Sequence, residues 1–187
     1  MDRQQALALW KRYNDDESLL RHALSVEAAM RHFAKKHGED VERWGAVGLL
    51  HDVDYQRHPE EHLVHTRAIL TEAGLDEEFI RAIESHGWGL CTQVEPRSLM
   101  ERTLYACDEL TGFIAACAYV RPSKSVLDME VKSVKKKWGS AAFAAGVNRG
   151  VIEDGAARLG IALDELIGET IMAMRAEAEA LGLKGSA

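Results

Sequence analysis

The dense succession of helix signals is the feature that most limits what this chain can fold into. Apolar side chains recur every three or four residues in several segments, which is the spacing of one face of an α-helix. In the first such segment they are Leu19, Ala23, Val26, Met30 and Phe33. Strand signals are nearly absent, because β-branched residues are scattered and no run alternates apolar with polar residues for long. The sequence therefore predicts an all-α fold.

Capping residues and glycines predict where the helices begin and end. Ser98 and Glu101 have the spacing of a capping box, and they open the longest predicted helix, which runs to Val120. Asn14, three residues before Glu17, predicts the start of another helix, which runs to about residue 36. The other predicted helices cover about 41–50, 60–73, 76–87, 125–137, 140–158 with breaks, and 163–181.

Chain length and composition favour one domain. A chain of 187 residues can bury one sizeable core but is short for two domains. Three prolines and the lack of any low-complexity tract leave no obvious linker. We therefore predict a compact single-domain helical bundle over residues 1–187.

Several features bear on the compartment and on membranes. The first residues lack the charged-then-apolar pattern of a signal peptide, and no apolar run approaches the ~20 residues of a membrane span. Cys91, Cys107 and Cys117 lack the spacing of a zinc ribbon, and their odd number argues against a disulfide framework. We expect a soluble, cytoplasmic protein that does not bind membranes.

The charge of the chain is unevenly distributed. A net charge of −7 disfavours general nucleic-acid binding, which usually needs a basic face. Residues 121–149, however, carry seven basic and two acidic side chains. A basic segment suits a phosphorylated substrate, and we expect Arg121 and Lys124 to be its main contacts. The further candidates for substrate binding are Lys132, Lys135 and Arg149.

The pair His51 and Asp52 joins two types of metal ligand at the end of an apolar run, residues 47–50. Neighbouring side chains on a regular helix point about 100° apart, so both can bind one ion only beside a helix end or an irregular turn. Pro59 indicates that the helix stops nearby. Further ligand types stand at His22, His62, His65, His86 and Asp108.

This ordered set of histidines and aspartates resembles that of the HD-domain superfamily of metal-dependent phosphohydrolases. The resemblance spans about residues 18–120, and residues 121–187 match no motif of the family. It is carried by residues 49–55, 60–62 with 67–70, 82–86 and 106–110. The resemblance implies a bundle of the HD-domain type, with a metal-binding core and a C-terminal helical extension.

The same resemblance implies a ligand set for one or two ions. The first ion would be held by His22, His51, Asp52 and Asp108. Asp52 would bridge to a second ion, completed by His62 and His86. His65 stands three residues after His62 on the same predicted helix, so either could turn inward; the family pattern favours His62.

The ligand types also bear on which metal is bound. Imidazole together with carboxylate suits Mn, Fe, Co, Ni or Zn better than Mg, although Mg stays open. His32, His37 and His58 have no counterpart in the ligand set, and we expect them on the solvated surface.

These observations predict a metal-dependent hydrolase that cleaves a phosphoric monoester or diester with a metal-activated water. The substrate would be a small anionic metabolite, with nucleotides among the candidates. Asp52 would position the water, and Asp54 would either orient it, protonate the leaving group or serve as a turn carboxylate. Two alternatives stay open: a di-iron HD-type oxygenase and a non-catalytic, metal-retaining module that binds a ligand. The sequence leaves the substrate, the native metal and the oligomeric state, monomer or homodimer, undecided.

Overall fold

A computed structural model describes residues 1–185, and their secondary structure is helical. The nine α-helices of these residues are α1 (Arg3–Tyr13), α2 (Glu17–His37), α3 (Val41–Leu50), α4 (Thr66–Glu72), α5 (Glu77–Ser85), α6 (Leu99–Tyr119), α7 (Val131–Trp138), α8 (Arg149–Leu159) and α9 (Leu163–Ala176). A 3₁₀ turn, Pro59–Glu61, precedes α4. Within residues 1–185 there is no strand, only two isolated β-bridges. The all-α prediction is confirmed.

The helix caps follow the sequence signals at some ends and not at others. The capping box of Ser98 and Glu101 opens α6 as predicted, and α3 has the predicted bounds. The predicted cap at Asn14 is wrong, because Asp16 accepts hydrogen bonds from the first backbone N–H groups of α2. The Asn14 amide is buried instead and donates to the carbonyl of Val53. Helix α1, capped by Asp2, was not predicted.

The predicted helix over residues 60–73 is only partly formed. It is interrupted at Leu63, whose φ of 69° lies in the left-handed region. The side chain of Leu63 is nevertheless buried in the core, which holds this unusual backbone in place. His62 and His65 therefore lie on an irregular segment before α4 rather than on one helical face.

The helices after α6 are shorter than predicted. Helix α7 begins at Val131 rather than at 125, because the preceding residues pair with the chain end: the Val126 N–H donates to the Leu183 carbonyl. Residues 140–148 form turns, so α8 begins at Arg149. Helix α9 ends at Ala176, five residues before the predicted end.

Close helix packing places the histidines and aspartates of the motif. Helix α2 packs against α3, α6 and α9, and α8 packs against α6. A side-chain carbon at Gly48 would lie 2.9 Å from the Val26 carbonyl oxygen, so α3 can approach α2 this closely only with glycine there. Gly155 allows a similar approach of α8 to Ala106 on α6. The buried apolar side chains of these helices form one continuous core.

The apolar content of the helices also bears on membrane insertion. Among the helices of residues 1–185, none combines the length and the apolar character needed to span a bilayer.

Candidate metal centre

Six histidine and aspartate side chains from five parts of the chain meet in the interior of the bundle. They come from α2 (His22), the end of α3 (His51 and Asp52), the irregular segment (His62), the end of α5 (His86) and α6 (Asp108). His51 is fully buried, and the other five line a cavity of about 320 Å³. The structure thus brings together all six side chains that the sequence suggested as ligands.

Four of these side chains form the first ligand group. The Nε2 atom of His22 lies 3.0 Å from Asp108 Oδ1 and 3.1 Å from His51 Nε2. His51 Nε2 lies 3.3 Å from both Asp108 Oδ1 and Asp52 Oδ2. Ligand atoms bound 2.0–2.2 Å from a transition metal are spaced about 3.0–3.5 Å apart. The donor atoms of His22, His51 and Asp108 therefore fit around one ion, and Asp52 Oδ2 lies beside them, 3.7 Å from His22 Nε2.

The second ligand group uses the other oxygen of Asp52. His62 Nε2 lies 3.2 Å from Asp52 Oδ1, and His86 Nε2 lies 3.5 Å from it. The two Nε2 atoms are 3.2 Å apart. Because Oδ2 of Asp52 faces the first group and Oδ1 faces the second, this carboxylate has the placement of a bridge between two ions.

Three of the histidines are held by hydrogen bonds from Nδ1. His51 donates to the Gly48 carbonyl at 2.8 Å, and His86 donates to the Ile83 carbonyl at 2.6 Å. His62 donates to the Asp54 carboxylate at 2.9 Å. With the proton on Nδ1, each Nε2 presents a lone pair to the cluster, as in metal-bound histidines. In the neutral rings of His62 and His86 these lone pairs face each other at 3.2 Å and repel unless a proton or a metal ion lies between them.

The electrostatics of the cluster also favour cations. Burial lowers the pKa of His51, but the nearby Asp52 and Asp108 carboxylates raise it well above its usual value. Burial likewise lowers the pKa of His62, and hydrogen bonds to Asp52 and Asp54 raise it to about 9. Burial raises the pKa of Asp52 and of Asp108, yet the neighbouring histidines, His51 above all, lower both well below their usual range. The same field that retains protons on these imidazoles would stabilise divalent ions.

Asp54 lies behind His62 in the protein interior. It is 0% exposed and is not part of the cavity wall. Its Oδ1 accepts from His62 Nδ1, and its Oδ2 accepts from the His65 backbone N–H at 3.3 Å. Both oxygens are thus engaged in holding His62 and its segment, which favours the alternative of a structural carboxylate over one that orients water or protonates the leaving group.

His65 turns away from the cluster. Its Nε2 lies 3.0 Å from Glu61, and its ring stacks on His58 with centroids 3.8 Å apart. The structure thus places His62, not His65, beside Asp52. The ligand atoms of the His58, Glu61 and His65 group lie within 4.8 Å of one another near the protein surface.

The other two histidines of α2 lie away from the cluster. His32 was expected on the solvated surface, but it is only partly exposed and contacts Glu169 at 2.5 Å. His37 stacks on Phe33.

The basic residues proposed as substrate contacts do not line the cavity. Arg121 and Lys124 follow Tyr119, the last residue of α6, which is already about 16 Å along the helix from Asp108. The far end of the basic segment returns to α6, where the Arg149 guanidinium lies 4.7 Å from the centre of the Phe113 ring. None of Arg121, Lys124, Lys132, Lys135 and Arg149 lines this cavity, and the expectation that they bind the substrate stays a prediction.

Four of these five basic side chains have other partners. Arg121 pairs with Asp128 at 2.6 Å, Lys132 with Glu130 at 2.5 Å and Lys135 with Asp164 at 2.8 Å. Arg149 donates to the carbonyl groups of Ser140 and Phe143. Lys124 is exposed, at a left-handed turn with a φ of 47°.

Sequence reasoning missed the remaining wall of the cavity. It includes Leu19, Tyr55, Gly87, Leu90, Cys91, Glu109 and Gly112. Burial and the adjacent Asp108 carboxylate raise the pKa of Glu109 to about 7, while the Asn148 N–H donates to its side chain at 3.2 Å. Its position directly after Asp108 was the one signal that could have identified it.

Comparison with known proteins identifies the family. A sequence model of the HD domain matches residues 19–112, about half of the chain. All six side chains of the cluster lie within this range. No curated protein and no solved structure was found to match the chain. The chain belongs to the HD-domain superfamily, whose members are generally metal-dependent hydrolases.

Proposed function

We propose that this protein is a phosphohydrolase that cleaves a phosphoester in a small anionic metabolite at a two-metal centre. The observation that carries the proposal is the placement of Asp52, whose two oxygens face two separate ligand groups. Two ions joined in this way, about 3.5–4 Å apart, can stabilise the attacking and leaving oxygens of a phosphoryl transfer. Both mono- and diesters fit this chemistry.

The ions would supply the nucleophile and part of the charge stabilisation, because divalent metals lower the pKa of bound water toward about 7. The chain positions its own ligands for this task. His51 and His86 are fixed by the carbonyl groups at the ends of α3 and α5, and His62 is fixed by Asp54. Imidazole and carboxylate ligands of this kind suit Mn, Fe, Co, Ni or Zn.

The charges of the cavity wall indicate that metal ions must bind before a phosphate group can. Among the residues that line the cavity, there is no lysine or arginine, whereas Asp52, Asp108 and Glu109 are acidic. A phosphate group would be repelled by these carboxylates unless bound ions offset their charge. We therefore expect the metal-free protein to bind no phosphate and the metal-loaded protein to bind it.

Glu109 is the carboxyl group of the wall that does not belong to either ligand group. It lies beside Asp108 and is partly buried. From this place it can donate a proton to the leaving oxygen or accept one from water. We propose that Glu109 handles the proton in the reaction.

The proposal is tested by metal analysis followed by a substrate screen. Protein purified without chelators should contain transition metal, and the protein loaded with Mn, Fe, Co, Ni or Zn should hydrolyse at least one member of a broad panel of phosphomonoesters and phosphodiesters. Glu109→Gln should lower kcat without lowering metal content.

Two other outcomes would point to other functions. Oxygen consumption by the iron-loaded protein with an organic substrate, together with no hydrolysis, would support the di-iron oxygenase. Tight metal binding with neither activity would support a non-catalytic module.

A further inference from the structure

A second cavity adjoins the metal centre. It has a volume of about 220 Å³, lies between α2 and α6, and shares His22 and Gly112 with the first cavity. The rest of its wall includes Arg21, Ser25, Ala115, Ala116, Tyr119 and Leu181. We call it the side groove. The side groove thus lies next to the cavity that the candidate ligands line.

Gly112 stands where the two cavities meet. It lies in the middle of α6, one turn after Asp108. Glycine at such a position makes a helix less stable than alanine does. Apart from its chain neighbours and the backbone of its own helix, no atom lies within 4 Å of where its side-chain carbon would be, so packing against other elements does not explain the glycine. The missing side chain instead leaves open the space between the cluster and the side groove.

Arg21 supplies the positive charge that the first cavity lacks. It lines the side groove one residue before His22. Its side chain is 43% exposed, and its contact with Glu17 is a long one of 3.4 Å between exposed groups, which holds it weakly. A ligand in the side groove can therefore contact Arg21 with little loss of free energy from the weak Arg21–Glu17 contact.

The rest of the side groove suits an organic group. Ala115, Ala116, Leu181 and Leu183 give it apolar contacts, the half-exposed Tyr119 offers an aromatic face, and Ser18, Ser25 and Thr111 add hydroxyl groups. Pockets for small organic ligands are typically apolar with a few polar groups that fix orientation. A ligand group made of one ring with a polar substituent would match these walls.

We infer that the side groove binds the organic part of the substrate. The substrate would be a phosphoester whose organic part carries an apolar ring and a carboxylate or second phosphate that meets Arg21. This inference rests on the proposed function for the phosphate position, and it adds the class of substrate. It also assigns Gly112 and Arg21 as residues that determine specificity.

Phosphonates, which are not hydrolysed, test the side groove by equilibrium binding. The probes are methylphosphonate, benzylphosphonate and 4-carboxybenzylphosphonate, titrated by calorimetry into the metal-loaded protein. We expect benzylphosphonate to bind more tightly than methylphosphonate, because its ring enters the side groove. Gly112→Leu should lower the ratio of these two affinities about tenfold, as expected for excluding one ring from an apolar site. In the wild type, 4-carboxybenzylphosphonate should bind roughly threefold to fivefold more tightly than benzylphosphonate, and Arg21→Gln should remove this difference in affinity.

Gly168 provides the matched control. It lies inside α9, away from both cavities, and an added side-chain carbon there would make an ordinary contact, 3.5 Å from Val131. Gly112→Ala and Gly168→Ala should both raise the Tm by about 2–4 °C, since each replaces a helical glycine. Only the change at Gly112 should alter the ratio of phosphonate affinities. Metal content, measured for every variant, verifies that the cluster is intact.

The outcomes separate this inference from the proposed function. If no phosphonate binds to the metal-loaded protein, the proposed function fails, and the side groove loses its role with it. If methylphosphonate binds but benzylphosphonate binds no more tightly, the inference is wrong while the proposed function stands. The same conclusion follows if Gly112→Leu and Gly112→Ala leave the affinity ratio at its wild-type value.

Discussion

Replacing Asp54 by asparagine separates a positioning role from a catalytic one. The Asp54 carboxylate accepts from both the His62 imidazole and the His65 backbone N–H, and it is fully buried. Asparagine has one oxygen and one NH2 group. The oxygen can accept from only one of the two oriented donors, so either the His62 imidazole N–H or the His65 backbone N–H would face the NH2 group. Leaving a buried donor without an acceptor costs about 1–3 kcal/mol. We therefore expect Asp54→Asn to lower the free energy of unfolding by about that amount.

The larger effect of Asp54→Asn should be on the second metal ion. Loss of the partner that orients a histidine ligand typically weakens metal binding 10–100-fold, or about 1.4–2.7 kcal/mol. Calorimetric titration of metal into apo protein should show weakened binding of one ion and normal binding of the other. Asp15→Asn, which removes the charge of an exposed carboxylate, is the matched control and should bind both ions normally. If Asp54→Asn binds both ions with wild-type affinity but loses turnover, Asp54 is a catalytic group and the positioning argument is refuted.

Three further predictions follow from the geometry of the site and its surroundings. His62→Ala should reduce tightly bound metal from two ions per chain toward one, whereas His65→Ala should leave it unchanged after gel filtration; the opposite result would show that His65 is the ligand. Arg121→Ala and Lys124→Ala should leave KM for any identified substrate within roughly twofold of wild type, because neither side chain lines the cavity; a large rise in KM for either would support the basic segment as a substrate site. The pKa of His62 in the metal-free fold, about 9, exceeds its value of about 6.5 in an unfolded chain, so its stabilising effect is complete below pH 6.5 and is lost as the pH rises through 9. The Tm of the apo protein should therefore fall across this pH range, while metal affinity should rise because fewer protons compete; an apo Tm that rises with pH would contradict this reasoning.

The sequence predicted the parts of the fold that depend on local signals. The apolar periodicity of α2, the bounds of α3 and the capping box of Ser98 and Glu101 are local patterns, and the structure agrees with them. The six clustered side chains could be proposed because their order along the chain resembles a family motif. Their meeting in space depends on close packing of α2 and α3, which Gly48 permits.

The irregular segment between α3 and α4 could not be predicted from periodicity. Its conformation depends on a left-handed residue, Leu63, and on a buried carboxylate, Asp54, that accepts from a backbone N–H eleven residues later. Neither has a signature in the local pattern. For the same reason the sequence left His62 and His65 as alternatives.

The basic segment shows a different limit of sequence reasoning. Its positive charge was evident, but composition gives no distance to the metal centre. The length of α6 carries Arg121 and Lys124 away from Asp108, and most basic side chains of the segment pair with nearby carboxylates or carbonyl groups. Arg21, a single cation next to His22, did not stand out in a charge count, although it lines the cavity that adjoins the centre.

Metal stoichiometry tests most directly the central claim that Asp52 joins two ligand groups into one centre. Wild type, Asp52→Asn and His86→Ala would be loaded with Mn, passed through gel filtration to remove loosely bound ions, and analysed by mass spectrometry of the metal. We predict two ions per chain in the wild type, about one in His86→Ala and fewer than one in Asp52→Asn. A single ion in the wild type, or two ions retained by Asp52→Asn, would contradict the account.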